Sequence, residues 1–246
     1  MKSIRSALRT LTLCVCAIWA VSATAQEKTG VKTGFALEPG TVRIVLMRPS
    51  VRVGAQSTGG QFEPNADWTA QARENIAAEL AKAQGNLGNV VIDYDDSMTE
   101  EAALVSQYNS LFGSVASSII EYQFFPGNRL PTKKKDKDRF EWGMGSGLSQ
   151  LSSLTDADYL LFINTRDAYG STGRKMLQFA GMLAGVAVVS GEHAGYAGLV
   201  NVKTGELVWL NADNQMGGDV RTPEGASKRV AQLLEGFPGQ VKGSGK

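Results

Sequence analysis

Cysteine is nearly missing from this 246-residue chain, and the two present, Cys14 and Cys16, both fall close to the N-terminus. Histidine occurs once, as His193. A histidine-rich metal site therefore cannot be assembled, and a Ser-His-Asp arrangement would have to use that one imidazole. No serine sits in a Gly-x-Ser-x-Gly turn, because Gly143-Met144-Gly145-Ser146-Gly147 has the wrong spacing. Neither a Gly-x4-Gly-Lys-Ser/Thr loop nor a complete Gly-x-Gly-x-x-Gly occurs, which removes the common phosphate and dinucleotide cradles. Charge of one sign is also lacking: 25 basic residues stand against 24 acidic ones, so nothing in the balance draws the chain to nucleic acid. No apolar run reaches the ~20 residues that a membrane-spanning helix needs. No metal and no cofactor is expected.

The first 25 residues have an export pattern. Lys2, Arg5 and Arg9 precede an apolar stretch over residues 11–21, and Ala23-Thr24-Ala25 offers a small-residue cleavage site before Gln26. Residues 1–25 are read as a signal peptide, which places the mature chain in the periplasm. The alternatives are an uncut anchor helix, or a lipid-modified cysteine that would secure outer-membrane attachment. Leu13 and Val15 are bulky where a lipidation site wants small residues. Cleavage after Ala25 leaves a cysteine-free protein, which excludes disulfides, thiolate nucleophiles and Cys-ligated zinc together.

Residues 26–40 have no apolar period and read as a flexible leader. One α/β domain is expected over 41–238, followed by a disordered tail over 239–246. Val42, Ile44, Val45 and Leu46 form a strand stopped by Pro49, and 50–64 reads as a Gly-rich loop. Asp67 is positioned to cap a helix that carries Trp68, Ala72, Ile76 and Leu80 on one face, with Gly85 as its left-handed stop. Residues 89–94 read as a strand. A capping box over Ser97–Glu100 opens a helix whose stripe is Leu104, Tyr108, Leu111, Phe112, Val115 and Ile119. The run Lys133–Arg139 reads as a solvated loop, or as a contact for an anionic surface or peptidoglycan. Residues 140–154 read as a Gly-broken helix packing Trp142, Leu148 and Leu151. Residues 159–164 form a central strand covered on both faces. Residues 195–210 form a hairpin around Lys203-Thr204-Gly205-Glu206, and Thr222-Pro223-Glu224 starts a last helix with Val230, Leu233 and Leu234 inward. The resulting order, β-α-β-α-α-β-α-β-β-α, is an α/β fold with a mixed sheet of about five strands packed by helices in a single domain.

Three features could carry function. The uncharged stretch 176–190 contains Gly181 and Gly185 four apart. It reads first as a buried core helix, and otherwise as an oligomer interface or membrane-contact surface formed by Phe179, Gly181, Gly185 and Val189. Two polar clusters flank expected element ends, Arg166, Asp167 and Tyr169 after the central strand and Asp219 and Arg221 before the last helix. In open α/β sheets such ends bind ligands, while the structural alternative is an ion-pair network that fixes loops. Asp93 and Asp95 superficially resemble the two aspartates of a phosphatase but read as turn and helix-entry residues.

The stretches Ala157-Asp158-Tyr159-Leu160-Leu161-Phe162, Arg166-Asp167-Ala168-Tyr169, 199–209 and Gly218–Gly225 resemble a group of uncharacterised exported bacterial proteins. More distantly, the element order is similar to the periplasmic domains of the curli-secretion pore lipoprotein (CsgG-like) and of the TolB amino-terminal domain. That resemblance covers about half the mature chain. It implies envelope assembly or secretion work without catalysis. The expected function is therefore a non-catalytic periplasmic or cell-envelope binding and assembly module with envelope proteins or further copies of itself as partners. The alternatives are a periplasmic hydrolase using carboxylates such as Asp93, Asp95, Asp167 or Asp219, and a small-molecule-binding protein.

Overall fold

The computed structural model describes residues 28–95, 101–135, 139–151, 154 and 156–240. The expected signal peptide, the capping box at 97–100, the centre of the charged run and the end of the tail lie outside them.

Among the described residues nine strands form one mixed sheet: β1 (Lys28–Val31), β2 (Arg43–Leu46), β3 (Ser50–Gln56), β4 (Phe62–Pro64), β5 (Val90–Asp93), β6 (Trp142–Gly143), β7 (Tyr159–Gly170), β8 (Glu192–Asn201) and β9 (Glu206–Asp213). The helices are α1 (Ala66–Gln84), α2 (Ala102–Ile119), α3 (Pro131–Lys135), α4 (Thr172–Leu183) and α5 (Pro223–Leu233). The main path runs β5-β2-β7-β8-β9-β1, parallel on the β5-β2-β7 side and antiparallel from β7 to β1. The expected mixed sheet is present, and it is larger than five strands.

The additional strands come from segments read as loops. The supposed leader supplies β1, which lies antiparallel to β9, with Lys32 paired to Glu206 at 2.6 Å just beyond it. Four residues with one apolar side chain offer no period to detect. The supposed Gly-rich loop 50–64 supplies β3 and β4. β2 and β3 both run parallel to β7, with Leu46 opposite Leu161 and Ser50 opposite Asn164. Three residues, Met47, Arg48 and Pro49, thus face two on β7, so the first strand continues through a bulge at a proline that has no N–H to donate.

β7 explains the layering. Leu161 and Ile163 point into a core with Ile76, Leu80, Trp209, Val230 and Leu233, whereas Leu160 and Phe162 point into a second core with Phe112, Ala116, Ile119 and Leu148. The period of two thus sends alternate residues to opposite faces of a strand covered on both sides. α1 and α5 close the first face and α2 the second.

Local details depart from expectation in several places. α1 is capped by Asn65, whose side chain accepts from Trp68 N at 2.9 Å, and Asp67 lies in the first turn. Gly85 ends the helix at φ −61, in the right-handed region. On α2 the buried stripe is Val105, Phe112, Ala116 and Ile119, while Leu104 and Leu111 are exposed. The helix then widens into a π-helical turn over Ile120–Phe124. Residues 140–154 form no full helix: β6 pairs with β9, a 3-10 turn spans Ser146–Gln150, and Leu148 and Leu151 are buried. The β8–β9 turn has Gly205 at φ 68, as the hairpin reading required. Thr222 caps α5 by accepting from Gly225 N at 3.1 Å, with Pro223 in the first turn.

Candidate functional site

Along β7 beyond Ile163 the face that packs on α5 turns polar, in the order Thr165, Asp167, Tyr169. Asp167 and Arg229 of α5 are both fully buried and form a two-pronged pair, Nη1 to Oδ2 at 2.7 Å and Nη2 to Oδ1 at 2.8 Å. Arg229 also donates to the Thr165 hydroxyl, and its remaining N–H groups face the carbonyls of Gly217 and Gly218. His193 Nδ1 lies 2.7 Å from Asp167 Oδ1 across the β7–β8 pair.

A second knot lies beside the first. The Asp219 carboxylate accepts from Arg221 Nε at 2.9 Å, from Arg221 Nη2 at 2.7 Å and from the Tyr169 hydroxyl at 2.7 Å. The Arg221 guanidinium stacks 3.7 Å from the Tyr169 ring centre and 4.5 Å from that of Trp68. Planar arginine suits such a slot because it can stack and hydrogen-bond at once.

Four of the five sequence candidates, Asp167, Tyr169, Asp219 and Arg221, therefore meet at one end of the sheet. Arg166 does not join them. One position out of phase, it points to the opposite face, where it pairs with Glu192 at 2.7 Å and covers the Phe62 ring at 4.6 Å. Trp68, His193 and Arg229 belong to the cluster and were not among the candidates. Arg229 had a sequence signal, since it falls on the inward stripe of α5 with Ala226, Val230 and Leu233. Asp93 lies apart on β5, accepting from Gln84 at 3.0 Å.

The electrostatics are those of a tie between strand, loop and helix. Burial alone raises the Asp167 pKa, but hydrogen bonds from His193 and Arg229 outweigh it and hold the carboxyl below its usual range. Arg221 holds Asp219 well below the ordinary value, with burial acting against it and the Tyr169 hydrogen bond adding to the effect of Arg221. Burial, followed by the hydrogen bond to Asp219, raises the Tyr169 phenol, which stays neutral at physiological pH. A carboxyl whose folded pKa is depressed contributes stability that is complete above its unfolded value and is lost as pH falls through the folded one. Stability measured by urea unfolding is thus expected to be flat above about pH 5 and to decline progressively below about pH 4. Replacing Asp167 by asparagine should flatten that decline, and an unchanged acid slope in the variant would contradict the assignment.

The stretch 176–190 behaves differently from the core helix expected of it. α4 leaves the sheet directly after β7, capped by Ser171 accepting from Arg174 N at 3.2 Å, and turns back at Ala184–Gly185. Gly185 adopts φ 71, the left-handed conformation that a side chain disfavours. The return segment lies against the helix: Val186 N donates to Gly181 O at 2.7 Å, and a Cβ on Gly181 would come within 2.8 Å of Val186 O. Gly181 is therefore used inside the arm, as the seam between its two limbs. Arg174 Nε donates to Val189 O at 2.8 Å and its Nη1 to Thr58 O, which fastens the base. Met176, Phe179, Met182, Leu183 and Val189 are 69%, 60%, 68%, 74% and 69% exposed. The stretch looks like core in sequence because it is apolar, yet among the described residues no other element covers its exposed side chains.

No protein-family model matches the chain, and no curated protein matches it. Among solved structures, a PelC dodecamer from Paraburkholderia phytofirmans aligns with TM-score 0.38 and 14% identity over 88% of this chain and 99% of its own. A variant PelC dodecamer from the same organism aligns with TM-score 0.36 and 14% identity over 88% and 99%. A DUF4136 family protein from Bacteroides thetaiotaomicron aligns with TM-score 0.34 and 9% identity over 85% and 92%. Likeness at this level fixes no shared function or assembly for the chain, and neither a CsgG-like nor a TolB domain is among these structures, so the resemblance expected from element order is not shown.

Proposed function

We propose that this protein is a non-catalytic binding and assembly module of the bacterial cell envelope, exported across the inner membrane, and that residues 172–190 are its docking element. The observation that carries this reading is the arm. Large apolar side chains held in water are unfavourable by about 25 cal/mol per Å², and contiguous patches of them mark interaction surfaces. The polar cluster supports the non-catalytic half, since Asp167 is clamped by a buried arginine and Asp219 by Arg221 and Tyr169. Carboxylates engaged in this way lack the freedom that proton transfer to a substrate needs.

A photoreactive residue in place of Phe179, in living cells, tests the docking half. A covalent adduct, protein or lipid, is expected there and not at Arg73 on α1, while no adduct from any arm position overturns the assignment. Turnover of an envelope glycan or phosphoester that disappears in Asp219→Asn overturns the non-catalytic half.

A second reading has an observation of its own. A cleft of about 420 Å³ opens between β1 and the π-helical turn, lined by Lys28, Gln123, Phe124, Arg129 and Phe140 among others. Lys28 donates to Phe124 O, and Arg129 donates to Gln123 O at 3.1 Å. Two cations in a largely polar cleft suit a small anionic molecule. A thermal-shift series with organic carboxylates and phosphates is expected to raise the melting temperature if this cleft is the working site, because a ligand of the folded state alone stabilises it.

A further inference from the structure

We infer that the occupant of the 172–190 arm is the interface of an anionic lipid layer, into which the arm tip inserts without crossing. This rests on the docking reading above and names its partner.

The distribution of apolar groups around the arm separates a lipid from a protein groove. At about 100° per residue, the exposed apolar positions Met182, Phe179, Leu183, Met176, Ala180 and Leu177 occupy an arc of roughly 220° of the α4 circumference, interrupted by Lys175 near the base and bordered by the exposed Gln178. A helix docking into one groove presents a narrower stripe and keeps a polar back. Here the side of α4 at Gly181 is covered by the return segment, whose own Val186 and Val189 are exposed in turn. The tip is thus apolar in nearly every direction that faces out, which fits a solvent surrounding it on all sides better than a single protein face.

Charge and length agree with that occupant. Between Ser171 and Gly191 the chain carries Arg174 and Lys175 and no acidic residue. Both cations lie in the first turn of α4, at the base of the arm, which is where headgroup phosphates would meet a finger inserted tip first. The turn at the tip is closed by the helix ladder and by the bonds from Ala184 and Val186 to Ala180 and Gly181, so it meets an apolar medium with these groups satisfied. Twelve helical residues span about 18 Å at ~1.5 Å each, enough for the ~5–10 Å reached by interfacial helices and short of a ~30 Å core. Consistently, no helix among the described residues is long and apolar enough to cross a membrane.

The test is co-sedimentation of the exported protein with vesicles of phosphatidylethanolamine and phosphatidylglycerol, compared with phosphatidylcholine alone. Binding to the anionic vesicles is expected, weakened by salt. It should fall at least tenfold in the Phe179→Ser, Leu183→Ser double variant and about fivefold in Lys175→Gln, one basic residue's share at an anionic surface. All three substitutions leave exposed positions polar, so the unfolding midpoint should stay unchanged, which separates lost docking from lost folding. In Phe179→Trp, brominated acyl chains should quench emission beyond the level set by the three tryptophans that remain after cleavage, Trp68, Trp142 and Trp209. Failure of the wild type to pellet, or equal pelleting by the double variant, overturns the lipid assignment. If the wild type instead forms an oligomer that the double variant does not, a second copy is the occupant and the docking reading survives without the lipid. If neither vesicle binding nor association depends on the arm, both readings fall.

Discussion

Replacing Arg229 by methionine is expected to lower the stability of the fold by about 3–5 kcal/mol near neutral pH. The substitution keeps an unbranched apolar stem in the core but withdraws both N–H groups that pair with Asp167, together with the bond to Thr165. Asp167, fully buried, is left with Thr165 and His193 as hydrogen-bond partners. Its charged form then lacks its main compensation, and burial drives its pKa above the unfolded value. A raised folded pKa makes the loss largest well above the unfolded pKa and smallest below it. The gap between variant and wild type in urea unfolding should therefore shrink as pH is lowered from 7 toward 4. Adding Asp167→Leu should restore much of the stability at neutral pH, because removing both members of a buried pair is far less costly than removing one. A pH-independent gap, or no recovery in the double variant, would show that the loss comes from packing around α5 instead.

Gly225→Ala should destabilise the protein by about 1–3 kcal/mol, against the sign that helix propensity suggests. In an ordinary helix the change stabilises by roughly 1 kcal/mol. Here a Cβ at Gly225 would lie 2.0 Å from Asp219 O and 2.4 Å from Asp219 N. The obstacle is backbone, so no side-chain rotation relieves it. Gly218, at φ 87, meets the same constraint from the other side, its hypothetical Cβ 2.3 Å from Gly225 O. The two glycines let the 218–219 segment cross tightly over the first turn of α5, and that crossing delivers the Asp219 carboxylate to Tyr169 and Arg221. A lowered thermal midpoint with a less depressed Asp219 pKa is the expected pair of results. An unchanged or raised midpoint would contradict the close approach.

The same cluster shows how far a one-dimensional reading reaches. That Asp167, Tyr169, Asp219 and Arg221 sit at element ends was legible, because polar residues after an apolar run and before a Thr-Pro-Glu helix start have few other places to be. That Arg166 leaves the group follows from strand parity, and parity could be applied only once β7 was known to continue to Gly170. By its apolar run alone the strand ends near Asn164, because its later inward residues are polar. They tolerate burial only because Arg229, more than 60 residues away in sequence, arrives to bond with them. Trp68 lay outside the reading for a similar reason: it shares a helix face with Ala72 and Ile76 and looked like core, but the Arg221 guanidinium caps its ring.

Local pattern by itself determined the α/β class, the central strand, the hairpin at Gly205, α1, α2, α5 and the cap at Thr222. Each rests on a period or on one backbone requirement set by residues a few positions apart. Tertiary structure alone decided the fate of segments with the same composition but different surroundings. Lys28–Val31 is a strand because β9 offers it an edge, and residues 50–64 are strands because β7 extends far enough to pair with them. Residues 176–190 are as apolar as the core and are nevertheless exposed. Burial belongs to the neighbours a segment meets, and those are set by the fold of the whole chain.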